Sequence, residues 1–189
     1  MRRMIKTLLV VAAVAVISAP IDARADGYVS PWAGVNFAAG GVDNGRASLG
    51  VQAGAMGAGI IGGEVEFGYS PSAFGTKNDF GHNTVIDLMG NVIVGIPVGG
   101  TRGAGFRPYV TGGLGLLRTQ IDGGTLFTVS SSDNMWGFNA GVGAMGFFND
   151  HVGLRGDLRY MRTLNGNVVN GLDLGSLHFW RFGAGVVIR

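Results

Sequence analysis

Seven charged residues stand at spacings that could support acid–base or ion-pair chemistry: Glu64, Glu66, Asp87, Arg155, Asp157, Arg159 and Arg181. Glu64 and Glu66 are two residues apart, and so are successive members of the Arg155, Asp157, Arg159 series. In an extended chain such positions share a face. Two carboxylates on one face suggest glycosidase-like catalysis, which needs an exposed cleft between them. Here three arginines accompany four carboxylates, so mutual pairing outweighs catalysis. Ser176 and His178 also share a face, and a Ser-His pair completed by an acid would make a hydrolase. No acid stands at an obvious partner position. His82, His151 and His178 fall in separate segments, whereas a zinc site needs three or four convergent ligands. Gly57–Gly62 and Gly141–Gly146 both match G-x-G-x-x-G. That motif binds dinucleotides only between a strand and a helix, and neither copy precedes a helical period. The expectation is no catalytic residue, no metal and no cofactor.

The composition limits what can position these residues. The chain has 189 residues, with 36 Gly and 5 Pro. Interior glycine disfavours helices, while a 47% hydrophobic fraction excludes a disordered chain. Residues 1–25 read as a secretory signal peptide. Met1–Lys6 is basic, Leu8–Ile17 is an unbroken apolar run, and Ala23-Arg24-Ala25 precedes Asp26 as a cleavage site. That run covers only about half a bilayer as a helix. The leader carries 4 of 14 basic and 1 of 12 acidic residues, which leaves 10 against 11 in 26–189. The formal charge of +2 thus becomes −1, and no basic patch argues for nucleic acid. There is no cysteine, so an exported domain must be stabilised without disulfides.

Period two recurs in eight segments: Tyr28–Phe37, Arg46–Met56, Ile60–Ser70, Asn83–Val98, Phe106–Gln120, Met135–Phe148, Val152–Thr163 and Ser176–Ile188. Connections alternate between longer and tight, as in an up-and-down barrel with one loop rim and one turn rim. An even strand number returns both ends to one rim. One face is continuously apolar, for example Val65, Phe67 and Tyr69, or Phe182, Ala184, Val186 and Ile188. The other face mixes glycine with the seven charges. A soluble exterior with so few charges would aggregate. The apolar face therefore turns to lipid, and the small and charged face to the lumen. A closed barrel is one of two ways to span a bilayer with every backbone group paired. The fold class expected is all-β: an eight-stranded antiparallel up-and-down transmembrane β-barrel over 26–189. Tyr69, Trp136, Tyr160 and Trp180 lie towards strand ends, where interfacial aromatics belong. Tyr28, Trp32, Phe106 and Phe148 read the same way, although strict alternation puts Trp32 in the lumen.

Three stretches carry a family resemblance: Arg107–Gly115 (RPYVTGGLG), Gly137–Gly143 (GFNAGVG) and Asp150–Tyr160 (DHVGLRGDLRY). They resemble the small outer-membrane β-barrel family, the OmpA/OmpX-like eight-stranded group. Arg181, Gly183, Val186 and Ile188 resemble its C-terminal assembly signal, although the family usually ends in an aromatic and this chain ends Ile188-Arg189. The resemblance implies a monomer exported to the outer membrane of a Gram-negative bacterium. It implies outer-membrane lipid, lipopolysaccharide and the barrel-assembly machinery as partners. Arg118 faces outward near the third long loop, where it could fork onto a lipopolysaccharide phosphate or simply be a solvated rim residue. The expected role is structural and surface-exposed, with a salt-bridged, largely closed lumen and displayed loops. A narrow pore for ions or small solutes, and a lipid-A-modifying barrel enzyme, are the alternatives. The plug is favoured because eight strands usually leave no aqueous channel.

Overall fold

Long period-two segments need long neighbours to satisfy their backbone groups, and the turns between them decide which neighbours they meet. The computed structural model describes residues 25–40, 45–71, 83–121, 131–164, 168–169, 172–173 and 177–189. The leader up to residue 24, His82 and Ser176 lie outside the described residues. The strands are β1 (Ala25–Gly40), β2 (Arg46–Gly57), β3 (Ile61–Pro71), β4 (Asn83–Gly95), β5 (Gly105–Ile121), β6 (Ser131–Phe147), β7 (Val152–Thr163), β8 (Val168–Val169), β9 (Leu172–Asp173) and β10 (His178–Ile188). Eight of them close into a barrel in the order β1-β10-β7-β6-β5-β4-β3-β2, while β8 and β9 pair separately. Every barrel neighbour is antiparallel. Closure leaves the barrel sheet itself with no edge strand among the described residues.

Local chemistry makes one rim tight. Between β2 and β3, Ala58 and Gly59 both have positive φ (50° and 68°). The Ile60 N–H donates to the Gly57 carbonyl at 2.9 Å. Two positive-φ central residues make a type I′ turn, whose twist matches that of the flanking strands. Between β6 and β7 the Asn149 side-chain oxygen accepts the backbone N–H groups of His151 (2.8 Å) and Val152 (2.9 Å). The start of β1 and the end of β10 share this rim, since Ala25 pairs with Gly57, and Ile188 pairs with both Val152 and Val29.

The alternation sorts side chains as the sequence pattern requires. Outside, Val51, Val92, Val110, Val142, Leu154 and Phe182 are all exposed. Inside, two apolar groups stand apart. Tyr28, Met56, Ile93, Tyr109, Met145, Phe147 and Val187 cluster near the tight-turn rim. Met89, Leu117, Met161 and Phe179 cluster nearer the loop rim.

The structure corrects several expectations. Tyr28 and Trp32 belong to no girdle, because their side chains are buried in the lumen. Both share parity with Asn36 on β1, so alternation forces them inward together. The strands also run further than hydrophobicity suggests. β6 begins at Ser131 rather than Met135, because Ser131–Asn134 continue the ladder opposite Arg118–Ile121 of β5. Ladder hydrogen bonds belong to the backbone, so polar residues extend a strand beyond its apolar stretch. β4 stops at Gly95, and Val98 keeps only an isolated bridge to Phe106.

Candidate functional site

The seven charged residues come from four strands. β3 carries Glu64 and Glu66, β4 Asp87, β7 Arg155, Asp157 and Arg159, and β10 Arg181. All seven are buried. Their parity alone turns them inward, and closure decides whom they meet. In the barrel order β7 stands four strands from β3 in either direction, and β10 stands four strands from β4. Each pair of strands is therefore diametrically opposed, and ion pairs between them bridge the lumen.

The geometry bears this out atom by atom. Arg159 Nη2 lies 2.8 Å from Glu64 Oε1, and its Nη1 lies 2.6 Å from Glu66 Oε2. Arg155 Nη1 pairs with Glu64 Oε2 across the same diameter. Arg181 grips Asp87 with both terminal nitrogens, at 3.1 and 2.7 Å, and also reaches Glu66 Oε1 at 3.1 Å. Asp157 is held from its own strand by Arg155 Nε (3.0 Å) and Arg159 Nε (2.8 Å). The two-pronged Arg181–Asp87 contact is the geometry that planar guanidinium favours.

Neutral side chains complete the cluster, and none of them is expected from the sequence to partner the charges; Tyr28 reads there as an interfacial aromatic instead. The Tyr28 hydroxyl donates to Glu64 at 2.6 Å, and the Tyr109 hydroxyl to Asp157 at 3.0 Å. Gln52 donates to Glu66 at 2.9 Å, and Arg181 Nε donates to Asn36 at 3.1 Å. Such partners matter because buried charges need their remaining lone pairs and protons satisfied. The signal that could have found them is parity: each lies on the inward face of its strand, in register with the charges. Arg155 also lies over the Tyr109 ring, and Arg181 over Trp32, at 4.9 and 5.0 Å from the ring centroids. Contacts of this kind add to pairing where water is excluded.

Close approach requires glycine at two points. A Cβ on Gly68 would run into the Asp87 carboxylate. A Cβ on Gly50 would come 2.7 Å from Trp32 Cζ2. Both glycines make room for the large luminal groups opposite them.

A second, smaller ion pair sits at the tight-turn rim. Arg107 Nη2 lies 3.3 Å from Asp26 Oδ2, with Asp26 partly exposed. On the outside, Trp136 is exposed, Tyr69 and Tyr160 are half-buried, and the Tyr160 and Trp180 rings lie 5.2 Å apart. Arg118 is half-buried on the outward face of β5, level with Ile86 and Asn134. His151 and His178 lie at opposite rims. Each carboxylate of the cluster is engaged by at least one guanidinium. The arrangement is thus suited to holding opposite walls together.

The chain is similar to Neisserial surface protein A, at 17% identity and a TM-score of 0.65, over 87% of this chain and 97% of that one. It is similar to the N-terminal barrel domain of Pseudomonas aeruginosa OprF, at 18% identity and 0.57, over 87% and 96%. It is also similar to Ail, the attachment invasion locus protein of Yersinia pestis, at 12% identity and 0.53, over 87% and 98%. At these identities the likeness is one of fold. A comparison with curated protein sequences finds no match. The profile of the outer membrane protein beta-barrel domain matches residues 7–188, and the chain belongs to that family.

Proposed function

We propose that residues 26–189 form a monomeric, surface-exposed structural barrel in the outer membrane of a Gram-negative bacterium, released from the signal peptide 1–25. Its lumen is closed and its loops face the exterior. The supporting observation is the pair of diametric ion-pair sets, Arg155/Arg159 with Glu64/Glu66 and Arg181 with Asp87. Apolar groups flank them. Arg155 lies against Tyr28 and Tyr109 on one side, and Arg181 against Phe179 on the other. Charges that bridge the lumen on two diameters, with rings against them on either side, support a closed lumen over a continuous wet path. The outer surface takes lipid and lipopolysaccharide, with Arg118 as one headgroup contact. Assembly uses the barrel-insertion machinery and the Arg181, Gly183, Val186, Ile188 pattern. No catalytic step is assigned.

Planar-bilayer recording of refolded protein tests the closed lumen. The expected result is a quiet membrane, from protein that migrates heat-modifiably on gels. A steady ohmic conductance that changes in Glu64→Ala would overturn the plug and favour the narrow pore.

A further inference from the structure

The turn rim carries a second cluster, built mostly from backbone oxygens. Arg189 follows β10, and its backbone N–H donates to the His151 carbonyl at 2.8 Å. Val187 is buried in the lumen and Ile188 is exposed, so alternation turns the Arg189 side chain inward. Its guanidinium meets four carbonyl oxygens. Nε donates to Asp150 O at 3.2 Å, Nη1 to Thr101 O at 2.7 Å, and Nη2 to both Gly103 O and Asn149 O at 3.2 Å. Nη1 also lies 3.9 Å from Asp26 Oδ2. The guanidinium carbon sits 3.7 Å from the centroid of the Phe147 ring, well within the range of a cation held by an aromatic face.

These partners come from separate parts of the rim. Asp26 is on β1, Thr101 and Gly103 are in the connection from β4 to β5, and Asn149 and Asp150 are in the connection from β6 to β7. In the barrel order β10 stands four strands from β4, so the reach from β10 to Thr101 and Gly103 crosses the mouth. The oxygens are also held without help from Arg189. The Gly103 N–H donates to Asp150 Oδ1 at 2.6 Å and ties the two turns together. Asn149 Oδ1 shapes its own turn through His151 and Val152, and Arg107 fixes Asp26 at 3.3 Å. A guanidinium is flat, carries five N–H donors in a fixed fork and stacks on rings, whereas an ammonium is a point charge with three donors. A ring below, carbonyls around the edge and one carboxylate suit the first and not the second.

We infer that this rim is a guanidinium-binding site whose ligand is the chain's own Arg189, and that the filled site caps the turn-rim mouth. It fastens the end of β10 to turns on the far side of the barrel, a tie that the strand ladder does not supply. Emptied of Arg189, it takes a small alkylguanidinium. The cap lies in series with the luminal ion pairs and for that part rests on the closed-lumen reading proposed above. The site itself stands on the rim geometry.

The test reads the temperature at which the refolded chain loses its folded form on heat-modifiability gels. Arg189→Ala is expected to lower it by at least about 3 °C, the scale of one hydrogen bond to a charged group in a chain of this length. Methylguanidinium at millimolar concentration should restore most of that loss. Methylammonium at the same concentration should restore none, and neither should change wild type, whose site is filled. Arg189→Lys should fall between wild type and Arg189→Ala, because it keeps the charge and loses the fork. An unchanged midpoint in Arg189→Ala, no recovery with methylguanidinium, or equal recovery with methylammonium would each overturn the site. If Arg189→Ala yields no folded form, the same decision is read from refolding yield: methylguanidinium present during refolding should recover it and methylammonium should not, and any other result overturns the site. Conductance separates this inference from the closed lumen. A conducting wild type refutes the cap and the luminal plug but leaves the guanidinium site standing, whereas failed rescue refutes the site and leaves the luminal ion pairs untouched.

Discussion

Arg159→Met is the sharpest perturbation of the luminal cluster. Arg159 is fully buried and lies within 2.8 Å of Glu64, Glu66 and Asp157. Methionine keeps most of the length and removes the charge. The cluster then changes from three cations against four anions, formally −1, to two against four, formally −2. Glu64 and Asp157 keep Arg155, and Glu66 keeps Arg181 at 3.1 Å. The cost arises from carboxylates left under-compensated, and truncating a buried pair in this way costs about 3–5 kcal/mol. At about 1.4 kcal/mol per decade that is two to four orders of magnitude in the folding equilibrium. Urea unfolding of the refolded barrel in micelles measures it, and Trp32, stacked under Arg181, reports on the lumen. Glu66→Gln added to Arg159→Met restores the formal charge of −1 and should recover at least about 1 kcal/mol, a coupling that a double-mutant cycle isolates. A loss below about 1 kcal/mol in the single variant would refute the reasoning, since exposed pairs already reach that value. A double variant no more stable than the single one would refute the charge-balance part of it.

Two further outcomes follow from the same geometry. Val142 is exposed on β6 opposite Val110 and Leu158, so Val142→Arg should cost about 2–4 kcal/mol in a lipid-based unfolding titration, as at a bilayer midplane; a cost under about 1 kcal/mol would show that this face does not meet hydrocarbon. Gly68→Val places carbon where the Asp87 carboxylate lies, displacing it from Arg181, and should lower the folded fraction on heat-modifiability gels and shift Trp32 emission; unchanged yield and emission would show that the lumen has room to spare.

The charged site was legible in the sequence as a set but not as a network. Glu64 and Glu66 share parity, and so do Arg155, Asp157 and Arg159, so their common facing follows from two-residue spacing alone. Which arginine meets which carboxylate does not, because Arg159 and Glu66 are 93 positions apart and meet only through closure. Tyr28 shows the limit plainly. A tyrosine near a strand end suits an interface or a lumen equally well by type, and only its parity with Trp32 and Asn36 places it inside. The luminal methionines Met56, Met89, Met145 and Met161, all fully buried, were hidden for a related reason. An inward Met and an outward Val contribute alike to a hydropathy pattern, so the apolar packing on either side of the charges does not stand out.

The sequence by itself determined the alternation, the tight turns and the inward facing of the seven charges, because each depends on neighbours a few residues away. The tertiary structure decided that β3 faces β7 and β4 faces β10, that β6 extends to Ser131, and that Arg189 reaches across the turn rim to Thr101 and Gly103. Those facts depend on strand order and register around a closed ring. Closure is a property of the whole chain, and no local spacing encodes it.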